Sequence, residues 1–451
     1  MSRKLGRRAV VVGAGIGGLS AAGALAKYFD QVDILERDHT PLSVETRLGT
    51  PQDRHAHALL AGGLQALNDI YPNFDRDLAA AGAVAVNVPA DVRYETPGFS
   101  ERPQRDFGIA MLSASRPLIE SVLRRRTLAA GNVALWSNCR VTEIQQRGSS
   151  AAAIVQTVQF NIGAESARTL KADLVIDATG RGALALGFLR TLGWEQPPET
   201  RIGVDISYAT AVTPIPANLA LGWKLALTLP DPPSQPLNAV LLPAEGDRWM
   251  VSIADRGTAG WIDDWNSFLD ALGRLSSTTL RDALQHAQSP PAIHHYRFTA
   301  STWKHYERLP RLPRGIIPLG DAFCRFNPIY GQGMSAAAQQ SRLLQTALAN
   351  AANELDPLVA AQASVMSAVG SILQTPWTMA ANSDYEFPQT QGTRPDNFAK
   401  ARGSQEALFR AIASDAIVHR AFVEVSHLLQ PYSLLRTPAI RERIEAAVAM
   451  R

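Results

Sequence analysis

At 451 residues, with 44 Lys and Arg against 41 Asp and Glu, the chain carries a formal net charge of +3 at pH 7. That is too little to supply the concentrated basic face that nucleic acid requires. A 46% hydrophobic, 19% charged composition without low-complexity tracts is that of a soluble globular protein, with core enough for about three domains. The two cysteines, Cys139 and Cys324, stand in no metal or redox spacing and exclude a disulfide framework, which suits a reducing compartment.

Residues 1–8 are basic, but Gly13, Gly15, Gly17 and Gly18 break the apolar run behind them, so no secretory leader is expected. No uninterrupted apolar stretch approaches the ~20 residues of a membrane span. The expectation is a cytoplasmic protein without integral membrane association.

In chain order, residues 9–12 read as a short buried strand, 19–28 as a small-residue helix, and 32–35 as a second strand ending in Glu36. Between the first strand and the helix, Gly13, Gly15 and Gly18 have G-x-G-x-x-G spacing. Gly13 permits a tight turn, Gly15 admits a pyrophosphate to the backbone, and Gly18 lets helix and strand pack closely. The helix N-terminus then offers free N–H groups to phosphate. Glu36 stands where an acid hydrogen-bonds a ribose diol, which disfavours a 2′-phosphate and points to FAD or NAD.

Residues 51–68 begin polar and become helical. Arg54 is a candidate forked donor to the dinucleotide phosphates. His55 and His57 have no evident third ligand, so no metal site is expected. Residues 113–129 form an amphipathic helix with Ser115 as N-cap, Pro117 in its first turn and Arg116 at the same end. The run Arg124-Arg125-Arg126 reads as a solvated face. Strands follow at 133–136, 141–144 and 154–160. The strand at 174–176 then runs into the tight turn Asp177-Ala178-Thr179-Gly180.

Residues 196–305 read as a separate α+β unit, with strands at 203–210, 219–229, 239–242, 248–254 and 296–303 and a helical stretch at 263–287. Trp223, Trp249 and Phe298 are either pocket walls or ordinary core. The string GDAFCRFNPIYGQGM, residues 320–334, sets Gly320, Asp321, Pro328, Gly331 and Gly333 between an apolar run and a small-residue helix. Beyond 333 the chain is mostly helical, with breaks near Pro376, at 388–395, and at Pro431 and Pro438. A final helix covers 439–450. The apolar turns at 421–423 and 428–429 cover either a pocket or a partner.

Three motifs, G-x-G-x-x-G with Glu36, Asp177-Ala178-Thr179-Gly180, and Gly320-Asp321, together resemble the flavoprotein monooxygenases with the p-hydroxybenzoate hydroxylase fold. The strings GTPQDRHAHALL, DATGRGALALGFLRTLGW and LGDAFCRFNPIYGQGM are similar to the branch containing bacterial epoxidases and hydroxylases of polyketide and terpenoid-like substrates. The resemblance covers roughly residues 8–350. It implies an α/β chain: a Rossmann-like FAD-binding domain of the GR2, p-hydroxybenzoate hydroxylase type (1–195 and 306–352), an inserted α+β substrate domain (196–305) and a C-terminal helical region (353–451).

By that resemblance Gly13, Gly15, Ile16, Gly17, Gly18, Glu36, Arg37 and Asp177 belong to the FAD site. Arg54 and Arg116 contact its phosphate region and Val141 its adenine. Asp321 holds the ribityl chain beside Gly320 and Pro328. Gly331, Gly333 and Met334 bring backbone amides to the flavin N1–C2=O edge, where reduced flavin is anionic. The implied activity is monooxygenation through a C4a-hydroperoxyflavin, delivering one oxygen atom of O2 to an apolar small molecule by epoxidation or hydroxylation. An FAD-dependent reductase or dehydrogenase of an isoprenoid-like substrate is the alternative. The Asp-Gly motif of the aromatic hydroxylases is replaced by Asp-Ala-Thr-Gly, and no second dinucleotide fingerprint exists. Electrons then come from transiently bound NAD(P)H or a separate flavin reductase. The W-x-W-x-I-P string of flavin halogenases is absent, and no protein nucleophile or base is identifiable.

Overall fold

The computed structural model describes residues 3–449 apart from 48, 100, 150–151, 164–165, 181–182, 217–218, 258–259, 261, 286, 288–290 and 397. Arg181 and Gly182 of the string that starts at Asp177, position 286 of the expected helix and Met450 of the last helix therefore lie outside the described residues.

A five-stranded parallel sheet organises the first half. Its order is Ile316–Pro318, Leu174–Asp177, Gly6–Val12, Phe29–Leu35 and Val133–Trp136. Its strands read as continuous Val/Ile/Leu runs because both faces are covered. Val10 pairs with Val175, Val11 with Ile34, and Ile176 with Ile317. Helices Ile16–Ala26, Arg116–Leu128 and Gly333–Asn350 pack here, burying Leu19, Leu25, Ile119, Leu123, Leu344 and Leu348. In such open sheets ligands bind outside the carboxyl ends of the strands. The parallel register brings four of those ends together. Gly13 N–H donates to Leu35 O, Ala178 N–H to Val12 O and Leu319 N–H to Asp177 O, at 2.8, 2.9 and 2.9 Å. Gly13, Glu36, Ala178 and Gly320 thus meet at one edge, although they are spread over 308 positions of chain.

The second sheet has seven strands, in the order Cys324–Arg325, Ile293–Lys304, Glu199–Pro214, Arg248–Asp255, Asn238–Ala244, Leu225–Thr228 and Val92–Glu95. Two of these strands come from outside 196–305. Val92–Glu95 adds in parallel at one edge and Cys324–Arg325 antiparallel at the other. Alternation along each strand separates two faces. Trp249, Val251 and Ile253 pack under helices Trp265–Gly273 and Thr279–Leu284, whereas Ser252, Ala254, Val240 and Leu242 face a cleft. The expected helix over 263–287 is therefore two short ones. Trp249 and Trp223 belong to the core beneath the sheet, and Phe298 alone of the three aromatics lines the cleft.

One reading of the C-terminal region is corrected. Pro376 does not break its helix: Pro357–Asp384 runs through it, and burial of Leu373, Trp377 and Ala380 around the proline outweighs one lost backbone bond. The same helix is long and apolar enough to cross a membrane by length and composition, with a mean hydropathy of 1.3 over its best window. In the fold it lies against the protein: Gln362 Nε2 donates to Pro313 O and Ile316 O, both at 2.9 Å, and Asp384 is fully buried. Helices Phe398–Ser414, Ala416–Ser426 and Pro438–Ala449 share a separate apolar cluster and close one end of the cleft.

Candidate functional site

A single cleft of about 2070 Å³ runs from the glycine turn, past the 320–334 segment, to the C-terminal helices. It exceeds the roughly 300–1,000 Å³ of a typical small-molecule site, so it has room for a dinucleotide and a second ligand together.

At the glycine turn the three glycines divide their work. Gly13 has φ +106°, and a Cβ there would sit 2.4 Å from Ala178 O. A Cβ on Gly18 would sit 1.9 Å from Gly13 O, so Gly18 serves packing and does not line the cleft. A Cβ on Gly15 would meet only Arg116 Nη2, at 3.7 Å, because its face is open. Gly15, Ile16 and Gly17 line the cleft. Glu36 lines it as well, and already accepts from Ala14 N–H (2.7 Å) and Asp38 N–H (3.0 Å). A carboxylate has about four acceptor sites, so capacity remains for a diol. Arg37 lies at the mouth, its side chain 70% exposed and nearest Asp38 at 3.6 Å. Val141 lies on the cleft wall, next to a register shift between 141 and 143 that drops Thr142 from the Cα pairing.

Beneath this turn is a buried charge cluster. Glu120 accepts from Arg47 Nη2 at 2.6 Å and from Arg116 Nε at 2.9 Å, and Arg124 stands 3.9 Å away. Arg47 also approaches Glu36 at 3.5 Å. Burial raises the Glu120 pKa, but Arg116 and Arg47 outweigh it and hold the carboxyl below its ordinary range. Arg116, at the edge of this cluster, lines the cleft beside the open glycine backbone, and a forked cation there suits a diphosphate. Arg124 is thus part of the core, bonded also to Pro41 O, and not the solvated face expected of it.

Two expected contacts are corrected. Arg54 is exposed and outside the cleft, with His294 as its electrostatic neighbour. The reason is its short 3-10 turn. Asp53 points inward to accept from Arg47 N–H and Thr50 Oγ1, at 2.8 and 3.1 Å, which turns the next residue out. Arg47, which sequence reasoning missed, holds the inner position. Asp177 is fully buried and spent on its own turn, accepting from Thr179 N–H, Thr179 Oγ1 and Ala185 N–H at 3.1, 2.7 and 2.8 Å. Ala178, Thr179 and Gly180 reach the cleft in its place.

At the second grip Asp321 presents its carboxylate to the cleft. The surrounding protein raises its pKa, and Arg325, Arg116 and Lys304 pull it back. Gly320 and Gly331 adopt φ +66° and +67°, and nothing lies within 4 Å of a Cβ built on Gly331 or Gly333. Helix Gly333–Asn350 begins without a side-chain cap, and Gly333 and Met334 line the cleft, so its first N–H groups are available to a ligand. Pro328 lies on the same wall. Open glycine backbone, Arg116 beside it, a facing carboxylate and a free helix end fit FAD. Cys324 is sealed in the core, its thiol pushed well up by burial, and does not line the cleft.

Past this grip the cleft widens into a chamber walled by Leu225, Leu227, Val240, Leu242, Phe298, Phe409 and Phe422. Phe422, one of the turns the sequence left open, faces the chamber. At the junction, fully buried Asp384 binds Arg256 Nη2 (2.6 Å), Tyr330 OH (2.9 Å) and Asn327 Nδ2 (3.0 Å), while Tyr208 OH donates to Asn327 Oδ1 (3.1 Å). Nothing in the local sequence around Asp384 marks this role. His55 Nδ1 meets Thr210 Oγ1 at 2.7 Å, and burial, then nearby histidines, lower its pKa to about 3, so it is neutral. Among the described residues no cluster of three or more metal-ligating side chains occurs.

No family model matches the chain. Protein Rv3254 of Mycobacterium tuberculosis is 30% identical over 446 residues, covering 96% of this chain and 91% of that protein. The flavin-dependent brominase Bmp2 superposes with a TM-score of 0.68 at 13% identity, over 99% of this chain and all of that one. PqsL, a probable FAD-dependent monooxygenase from Pseudomonas aeruginosa, gives 0.59 at 18% identity, over 84% and 97%.

Proposed function

Because the chain belongs to the family of Protein Rv3254 and has the fold of flavin-dependent monooxygenases and halogenases, we propose that it is an FAD-dependent monooxygenase. Its reaction in this reading is insertion of one oxygen atom from O2 into a largely apolar small molecule, by epoxidation or hydroxylation, in secondary metabolism. One observation carries the reading: two grips from distant parts of the chain open into one cleft that continues as an apolar chamber.

Oxygen activation and two-electron chemistry are what FAD supplies when bound there. The chain's own residues bind, orient and exclude. The Gly13–Gly17 backbone receives the diphosphate, and Arg47 and Arg116 balance its charge. Glu36 takes ribose hydroxyls and Asp321 the ribityl hydroxyls. The amides at Gly333 and Met334 stabilise negative charge at the ring edge, an effect of about 0.3–1 kcal/mol at a surface and up to ~2 when partly buried. The chamber walls hold the substrate in a reactive pose and keep water out. His55 is neutral and Asp384 is locked in its network, which suits a transfer that needs no protein nucleophile. Electrons come from NAD(P)H or a partner reductase. Two free buried cysteines support a reducing, cytoplasmic setting.

The test supplies FAD, a reductant and lipophilic alkenes or arenes under 18O2. The reading expects substrate-dependent oxygen uptake and one 18O atom per product. Substrate oxidation without oxygen uptake assigns a dehydrogenase instead, and a brominated product in added bromide assigns a halogenase.

A further inference from the structure

Four arginines are buried among the described residues: Arg47, Arg102, Arg124 and Arg256. Three face a carboxylate. Arg47 has Glu36 and Glu120, Arg124 has Glu120, and Arg256 has Asp384. Arg102 differs. It is 6% exposed, and its guanidinium lies over the rings of Tyr94, Phe409 and Phe422, at 4.9, 4.6 and 5.2 Å. The three acids nearest in sequence are engaged elsewhere, Asp106 accepting from Gly108 N–H at 2.8 Å. Glu95 binds Arg93, Thr228, Ser277 and Thr279, and Glu101 approaches Arg93. Among the described residues the hydrogen bond Arg102 makes is from Nη2 to Thr96 Oγ1, a long 3.3 Å, although a guanidinium carries five N–H donors.

A buried cation without a counter-ion is unfavourable, and aromatic faces offset it only in part. Burial lowers the Arg102 pKa to about 10, so it remains charged at neutral pH. Arg102, Tyr94, Thr96, Phe409 and Phe422 all line the chamber. Among the described residues one N–H group of the fork meets Thr96 and three rings crowd the guanidinium, which leaves N–H donors for a ligand in the chamber.

We propose that Arg102 is the anion seat of the chamber, binding the carboxylate of an otherwise apolar substrate through a forked, charge-assisted pair. Arg256, the other buried arginine at the chamber end among the described residues, is neutralised at 2.6 Å by Asp384, and the exposed Arg402 and Arg441 on the lining face Glu406 and Glu445. An apolar body then lies along Leu225, Leu227, Val240 and Leu242, with its far end toward the 328–334 segment. The inference rests on the proposed function only in calling this ligand the substrate.

Calorimetric titration of the FAD-loaded protein with decanoate, and separately with decan-1-ol, tests it. Decanoate is expected to bind about 10- to 100-fold tighter, the effect of one charged hydrogen-bonded contact. In R102M that preference is expected to vanish while decanol affinity stays within about twofold; in R102K, which keeps the cation and loses the fork, it is expected to shrink. Equal affinity of the two ligands for the wild-type protein overturns the proposal, and needs no variant to fold. So does a parallel loss of both ligands in R102M, which would make Arg102 a clasp between the 94–102 segment and the C-terminal helices. A protein that binds no FAD refutes the monooxygenase reading. A yellow protein without a carboxylate preference refutes this inference alone.

Discussion

Around the glycine turn every buried cation among the described residues is matched by a carboxylate of the chain, and an open glycine backbone faces the cleft beside Glu36 and Arg116. In the chamber the ligand-facing groups are side chains, and Arg102 is enclosed by three rings, with no ion pair to an acid among the described residues. The difference follows from what each end must recognise. A diphosphate is constant, so fixed amides held by a closed charge cluster suffice. A substrate is particular, so its recognition falls to side chains gathered from 92–102, 225–256 and 379–445. The cofactor end should therefore be intolerant of backbone changes, and the chamber end should respond to side-chain chemistry and pH.

The largest effect is expected from Gly18→Ala. Its Cβ would land 1.9 Å from Gly13 O, where backbone must move, and overpacking of that kind costs about 3 kcal/mol or more. Urea unfolding and FAD titration should both register it. Arg47→Met comes next. It leaves Glu120 and Glu36 buried with less counter-charge, and removing one partner of a buried pair costs about 3–5 kcal/mol. A shift in the unfolding midpoint checks this, and an unchanged midpoint would mean the cluster is not a structural unit.

Acid should separate the two ends. His55, His419 and His427, at the chamber end, are held neutral by burial, with pKa values lowered to about 3, 4 and 4, against one such histidine at the cofactor end, His57 beside Arg116, lowered to about 4. The unfolded chain binds protons at these groups below about pH 6.5 and the folded chain does not, so stability falls as pH drops from about 6.5 toward 4. Glu120 behaves differently: with its folded pKa depressed, its contribution is lost only on titrating below the ordinary carboxyl range. Tryptophan and flavin fluorescence followed through an acid titration should show loosening of the chamber before release of FAD; the reverse order would contradict the comparison.

Asp321→Ala should leave folding within about 1 kcal/mol and weaken FAD about 10- to 100-fold, as expected for hydrogen bonds to a charged acceptor. Arg54→Ala should have the smallest effect, less than about twofold on FAD affinity, because an exposed side chain outside the cleft contributes little.

The local parts of this architecture were legible. A turn that needs Gly13 and Gly18 writes glycine into the chain, and the Ser115 cap and the strands at 133–136 and 174–176 carry their own patterns. What sequence reasoning misassigned depended on contacts far along the chain. Asp177 sits in a ligand-like turn, yet Thr179 and Ala185 take up its oxygens. Arg54 and Arg47 share a polar loop, and only the inward turn of Asp53 decides which reaches Glu120. Strands Val92–Glu95 and Cys324–Arg325 join a sheet that seemed complete within 196–305. Asp384 binds Arg256, 128 residues away, and Arg102 meets Phe409 and Phe422 across about 300. No window of sequence holds both partners of such contacts.

The central claim is that the glycine turn and the 320–334 segment grip one FAD between them. Equilibrium titration of the flavin-free protein with FAD, FMN and ADP tests it most directly. Two grips acting on one ligand predict one FAD per chain, with FMN and ADP, each of which engages a single grip, at least about tenfold weaker. FMN or ADP binding as tightly as FAD, or no binding of FAD at all, would contradict it.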